Sequence, residues 1–320
     1  MECAFVGLGH LGRRVAGRLV GAGFGLRVND LNPDAAPELL SAGASWAASP
    51  ARAVAGRDVL VTCLPSPAAT EAVMFGLDGA LAGMDAGSTW IECSTVSVEH
   101  AKRFAASAEA CGVKFLECPM TGGLHRAERG EMTIFVGGDE ATFSAHRALL
   151  EAMGGPVIHL GDIGSASLAK VLTNLLCLVD LVVAGEAMVL AKEGGLDLGK
   201  FYEAVCASSG TSREFEDWVP VILNGSLNTG FSLDLALKDL TFVRELADQS
   251  DAPFELTRLC ESMFKQAKHR YGGDAWTPHV VQAMEEASGV ELRAPGFAPT
   301  IDESLEAADR GKLTNPSNDQ

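Results

Sequence analysis

Gly7-Leu8-Gly9-His10-Leu11-Gly12 follows directly on the apolar run Cys3-Ala-Phe-Val6 and opens a stretch, 13–20, whose apolar residues recur at helical spacing. A glycine fingerprint between a strand and a helix is the signature of a dinucleotide-binding turn. Gly7 permits the tight turn, Gly9 lets the backbone approach a pyrophosphate, and Gly12 lets helix and strand pack closely, while the helix N-terminus supplies partial positive charge. An acidic residue completes the pattern: Asp30 ends the second apolar run, eighteen positions after Gly12. Its carboxylate would accept hydrogen bonds from ribose hydroxyls and repel a 2′-phosphate. No arginine follows it, only Leu31 and Asn32. The expected cofactor is therefore NAD rather than NADP, held by Gly7, Leu8, Gly9, His10, Leu11, Gly12, Asp30, Leu31 and Asn32.

Beyond this turn, short apolar runs bounded by Gly, Pro and Asp continue at Leu26-Arg-Val-Asn29, Val59-Leu-Val-Thr-Cys63, Trp90-Ile-Glu-Cys93, Lys114-Phe-Leu-Glu117 and Thr133-Ile-Phe-Val136. They read as strands. Between them, segments such as 13–23 and 68–82 carry Ala, Val and Leu at helical spacing, which makes a βαβ series and a mostly parallel sheet. After about residue 164 the strand-like runs cease. One long helix is expected over 168–193, with others at 198–208, 235–249, 254–269 and 278–288. The fold class is α/β: an N-terminal Rossmann-type parallel-sheet domain over 1–164, then an all-α C-terminal domain over 165–290 that begins with a long interdomain helix. Residues 291–320 lack periodicity and read as a loosely held tail.

The 320 residues include 42 acidic and 25 basic side chains, a formal charge of −17. Nucleic acids and anionic membranes are gripped by clustered Lys and Arg, which this chain lacks. The eight cysteines are scattered without C-x-x-C or zinc spacing and read as small reduced residues, and no metal set emerges. His100, His146, His159, His269 and His279 stand singly and read as surface or capping residues. No signal peptide is recognisable at the N-terminus, so the expected location is cytoplasmic. The apolar stretch 171–191 is interrupted by Asn174, Asp180 and Glu186 and is expected to be a buried helix rather than a membrane span.

Four further patterns bear on chemistry. Cys63-Leu64-Pro65 and Glu92-Cys93-Ser94-Thr95 end successive strands, where a nicotinamide would lie over the sheet edge. Cys118-Pro119-Met120-Thr121-Gly122-Gly123 sets a hydroxyl and two backbone amides in a turn that suits a carboxylate. The run from Gly161 and Gly164 to Lys170 brings a lysine into the first turns of the long helix, with Asn174 one turn later on the same face.

In order and spacing these motifs, together with Phe231-Ser-Leu-Asp-Leu-Ala-Leu-Lys238-Asp239, resemble the β-hydroxyacid dehydrogenase family over about residues 4–288. The resemblance implies that Lys170 is catalytic, that Asn174 orients the substrate, and that Thr121, Gly122 and Gly123 hold its carboxylate. It implies that Leu64, Pro65, Thr95 and Lys238 line the nicotinamide end of the cofactor, with Asp239 supporting Lys238. Two departures stand out. The substrate loop begins Glu117-Cys118-Pro119 where the family usually has Asp-Ala-Pro, and it continues with Thr121 in place of Ser. Arg126, beside His125, stands before Ala127 where many members have Gly. Its guanidinium would either grip a second anionic group on the substrate or point to solvent and pair with Glu128 or Glu131.

The resemblance implies NAD-dependent oxidation of a small 3-hydroxy acid to a semialdehyde or keto acid, or the reverse reduction. A lysine, with an unperturbed pKa of about 10.4, serves as a base at neutral pH only where burial or a second cation such as Lys238 lowers that value. Two alternatives share the fold: an imine reductase, which usually has Asp or Tyr where Lys170 stands, and a non-catalytic dinucleotide-binding protein. A homodimer or homotetramer is expected, because the resemblance implies one and because the apolar helix over 175–190 needs cover.

Overall fold

The computed structural model describes residues 1–304 and 306, and the chain divides into two compact units, Met1–Leu172 and from Thr173 onward. The first unit holds nine strands: β1 Glu2–Val6, β2 Gly25–Asn29, β3 Ser45–Trp46, β4 Val59–Thr62, β5 Thr89–Glu92, β6 Lys114–Glu117, β7 Met120–Thr121, β8 Thr133–Gly137 and β9 Val157–Gly161. Among them run helices α1 Gly12–Gly21, α2 Pro37–Ser41, α3 Pro50–Val54, α4 Pro67–Phe75, α5 Val98–Ala110, α6 Gly123–Arg129 and α7 Glu140–Met153. The sheet order is β3-β2-β1-β4-β5-β6-β8-β7, with β9 beside β8. It is parallel from β3 to β6, and β8 runs antiparallel to β6 and β7.

The order reverses between β1 and β4, the place where doubly wound sheets open a crevice at their C-terminal ends. Helices cover both faces. Cys3 and Phe5 pack with Val15, Leu19, Val28 and Phe143 on one side, while Ala4 and Val6 pack with Leu60, Trp90 and Phe104 on the other. Burial on two faces explains why β1 and β4 read as continuous apolar runs rather than as alternating ones.

Helix α8, Ser165–Glu193, begins in the first unit and continues into the second. The second unit adds α9 Leu198–Cys206, α10 Arg213–Asn224, α11 Leu233–Ala247, α12 Glu255–Tyr271 and α13 His279–Ser288 around a core of Leu178, Met188, Phe215, Leu233, Leu240 and Phe264. By length and composition alone α8 could cross a membrane.

Several expectations differ from what the chain does. The helix expected over 68–82 stops at Phe75, because Gly76 leaves helical backbone and a tight turn at Gly79 leads to a 3-10 turn, Leu81–Gly83. The tail is not loose throughout. Leu292 and Ile301 are buried, Arg293 pairs with Glu285 at 2.7 Å, and Asn224 and Ser226 donate to the carbonyls of Phe297 and Pro299. The part of that expectation on residues 305 and 307–320 lies outside the described residues. His159 does not stand alone, since its Nδ1 lies 2.9 Å from Glu140 Oε2.

Candidate active site

The glycine turn is built as close packing demands. A Cβ on Gly12 would collide with the carbonyl oxygen of Gly7, and one on Gly7, whose φ is +99°, would collide with the carbonyl oxygen of Cys63. At Gly9 a Cβ would meet nothing within 4 Å. The first two glycines named are therefore required by the fold, and the third leaves open space in front of backbone amides, which fits a pyrophosphate. Asp30 closes the turn: its Oδ2 accepts from Leu8 N at 2.6 Å and its Oδ1 from Asn32 N at 2.8 Å. Leu31 beside it is fully exposed, and His10 is exposed as well.

Parallel register places the remaining loops on the same sheet edge. Val6 pairs with Asn29 and Thr62, Thr62 with Glu92, and Glu92 with Glu117. The residues that follow this row are the expected cofactor and substrate loops. Ser94 Oγ accepts from Leu64 N at 2.8 Å, tying the Leu64-Pro65 turn to the segment that carries Thr95. Ser94 was not among the expected site residues, although it stands inside the quoted Ser-Thr turn. Glu92 is fully buried and burial pushes its carboxyl up to about 7, against bonds from Ser94, Thr62 and Thr70 that pull it down. Burial also raises the thiols of Cys63, to about 12, and of Cys93 and Cys118, so all three stay neutral.

In the loop after β6, Gly122 and Gly123 have φ of +130° and +81°, and Thr121 is half-buried ahead of them. A side chain on Gly122 would press on Arg126, whose Cδ lies 2.8 Å from where the Cβ would stand. Arg126 therefore lies across the loop. Neither neighbouring carboxylate takes it: Glu128 pairs with Arg14 and Glu131 with Arg129. Its Nε is buried without an acceptor among the described residues. The ion pairs with Glu128 or Glu131 considered from sequence are not among those found, and Arg126 as a whole is half-buried.

Lys170 and Asn174 are both buried, one turn apart on α8. The start of that helix is held by Glu117, which accepts from Gly164 N, Ala166 N, Ser167 N and Ser167 Oγ. In the second unit, Asn174 Nδ2 donates to Asp239 Oδ2 at 2.5 Å, and Lys238 Nζ lies 2.9 Å from Asp239 Oδ1 and 5.3 Å from the centre of the Phe242 ring. Asp239 thus joins Lys238 to Asn174, a link that residue spacing does not reveal. Among the described residues no group of three or more His, Cys, Asp or Glu is placed to hold a metal ion.

Comparison with known proteins bears on these residues. Residues 2–161 match the family model for the NAD binding domain of 6-phosphogluconate dehydrogenase, and residues 164–284 match that for the NAD-binding region of NADP-dependent 3-hydroxyisobutyrate dehydrogenase. The NAD-dependent L-serine dehydrogenase of Pseudomonas aeruginosa is 35% identical over 82% of this chain and 91% of its own. The L-threonate dehydrogenase of Cupriavidus necator is 35% identical over 92% and 97%. The solved structure of 3-hydroxyisobutyrate dehydrogenase from Salmonella typhimurium, 31% identical, superposes with a TM-score of 0.82 over 88% of this chain and 99% of that one.

Proposed function

Because the chain belongs to the β-hydroxyacid dehydrogenase family, we propose that it oxidises the hydroxyl of a small 3-hydroxy acid, or runs the reverse reduction, with Lys170 as general acid/base. The observation that carries this reading is the buried lysine on α8 followed one turn later by Asn174, whose amide is oriented by Asp239. Serine and threonate, the substrates in the names of two relatives, are small hydroxy acids.

NAD, when bound, supplies the hydride acceptor. The chain's own residues do the rest. Gly7 to Gly12 would present backbone amides to the pyrophosphate, Asp30 would accept from the ribose hydroxyls, and Leu31 and Asn32 would flank the same end of the cofactor. Leu64, Pro65 and Thr95 would flank the nicotinamide end; Lys238, given the same role by the family resemblance, has its ammonium beside Asp239. Thr121, Gly122 and Gly123 hold the substrate carboxylate. Lys170 takes the hydroxyl proton in oxidation and returns it to the carbonyl oxygen in reduction. Arg126, its guanidinium untaken by Glu128 or Glu131, grips a second anionic group on the substrate. NAD would be preferred to NADP because the Asp30 carboxylate would repel a 2′-phosphate.

The functional domains in this reading are an NAD-binding Rossmann domain over 1–164, an all-α substrate and oligomerisation domain over 165–290, and a tail. We place the protein in the cytoplasm; its acidic balance supports a chain that binds neither nucleic acid nor anionic membrane, and an exposed apolar row on α8 supports a homodimer or homotetramer.

The test is turnover of NAD and of NADP with 3-hydroxyisobutyrate, serine, glycerate, threonate and analogues that carry a second carboxylate or sulfonate. Lys170→Ala is expected to bind NAD normally and to lose about 10²–10⁴-fold in turnover. Near-normal turnover would refute the role of Lys170. Arg126→Ala is expected to raise KM for the doubly anionic substrates alone, by about tenfold or more, as loss of a charged hydrogen-bonding partner does. Equal effects on all substrates would remove Arg126 from specificity.

A further inference from the structure

The residue before helix α8, Gly164, has no side chain with which to cap it, and a helix start leaves four backbone amides unpaired. Among the described residues no hydrogen bond from these amides to the carboxylate of Asp162, the one polar side chain of the flank Gly161-Asp162-Ile163-Gly164, is found. The partner comes from 47 to 50 residues upstream. Glu117 Oε1 accepts from Gly164 N at 2.6 Å and Ala166 N at 2.9 Å, and Oε2 accepts from Ser167 N at 3.2 Å and Ser167 Oγ at 2.5 Å. The carboxylate is buried, and Gly137, opposite Glu117 on β8, has no side chain because a Cβ there would collide with it. Burial pushes the carboxyl up and the four donors pull it back. Three of those donors are backbone N–H groups that cannot turn round, so only an acceptor with two oxygens fits this place.

Glu117 is also the last residue of β6, four positions before Thr121. Lys170 stands three positions after Ser167, within the next turn of α8. We propose that Glu117 is a positioning residue for Lys170: one carboxylate fixes the start of the catalytic helix to the strand whose continuation holds the substrate, and so sets the distance between base and substrate. This rests on the reading of Lys170 as the acid/base group. The longer side chain replaces the aspartate usual in the family, so the helix start and the strand end are matched to Glu in this chain.

Glu117→Gln keeps the shape but turns one acceptor into an NH2 group facing an N–H donor. The expected result is a kcat lowered about 10–100-fold, the scale on which a small misplacement of reacting groups acts, with NAD affinity unchanged because Gly7–Gly12 and Asp30 do not touch this carboxylate. Amide exchange at 164–170 should quicken while the midpoint of global unfolding falls less than exchange at those amides implies. Ser167→Ala removes one donor and leaves three, and serves if the glutamine variant does not fold; its kcat should fall about 3–10-fold with KM for the substrate little changed. Glu117→Asp, which restores a carboxylate, should recover part of the activity lost in Glu117→Gln. Unchanged kcat in both Glu117→Gln and Ser167→Ala would overturn the proposal. Lys170→Ala measured beside them separates the two claims: if it remains active, the acid/base reading fails, whereas an inactive Lys170→Ala beside fully active Glu117→Gln and Ser167→Ala sinks only the role of Glu117.

Discussion

Asp30 carries two backbone amides on one carboxylate, Leu8 N from the glycine turn and Asn32 N from its own loop. That pairing holds the side chain at the mouth of the turn before any ribose arrives, so little ordering cost is left for binding. Asp30→Ser keeps one short acceptor and removes the charge. It is expected to raise KM for NAD by about 10–100-fold, as removal of charged hydrogen bonds worth roughly 1.5–3 kcal/mol does, and to narrow the ratio of NAD to NADP efficiency, since the repulsion of a 2′-phosphate goes with the carboxylate. Steady-state kinetics with both cofactors decides it. An unchanged ratio would mean that something other than Asp30 selects the cofactor. Arg126 shows the limit of reading a residue alone: its sequence neighbours Glu128 and Glu131 invite a salt bridge, and only their capture by Arg14 and Arg129 leaves it against Gly122.

The strand ends of the sheet form a row, Thr62, Glu92 and Glu117, in which two carboxyls are buried side by side in register. Burial raises both carboxyls, Glu117 against the pull of its four donors and Glu92 from 4.5 to about 7. Between those values the folded chain keeps a proton that the unfolded chain has lost, so stability falls as pH rises through the window and levels off above it, by about 3 kcal/mol in all. Glu92→Gln accepts from Ser94 N as before and turns its NH2 toward Thr62 and Thr70, so it should gain on the wild type between pH 5 and 8 in urea midpoint. A difference that does not grow with pH would remove Glu92 as the cause. The same scale explains what was legible. The glycine turn, β1, β2, β4, β5, β6 and β8, and the helices of the second unit other than α10 declare themselves by apolar periodicity. The two-residue strands β3 and β7 are too short to show any, β9 alternates without burying a face, and α10 has Pro220 in its interior, which reads as a break. The cap on α8 comes from a distant strand, and no local pattern announces it.

At the scale of the whole molecule, the feature that a single chain leaves unsatisfied is the outer side of α8. Leu176, Val183 and Leu190 are 66%, 55% and 67% exposed, seven residues apart, so they form one stripe along the helix. A seven-residue apolar repeat is the pattern of a helix that packs against another along a shallow crossing, and covering what remains exposed of each side chain gains about 1–2 kcal/mol. Two kinds of cover compete: a second copy of the chain, or lipid, since the helix is long and apolar enough to cross a membrane. Asp180 and Glu186 lie on the same helix, and Glu186 is exposed near the stripe, a costly arrangement in hydrocarbon and an ordinary one at the rim of a protein interface. The protein is therefore expected to sediment as a dimer or tetramer without detergent. Leu176→Glu combined with Leu190→Glu, which sets like charges facing each other across a symmetric contact, should shift it to monomer with helix content retained. A wild type that already sediments as a monomer removes the oligomer from the reading. A protein that pellets with membranes, and is released by the double substitution, would assign the stripe to lipid instead.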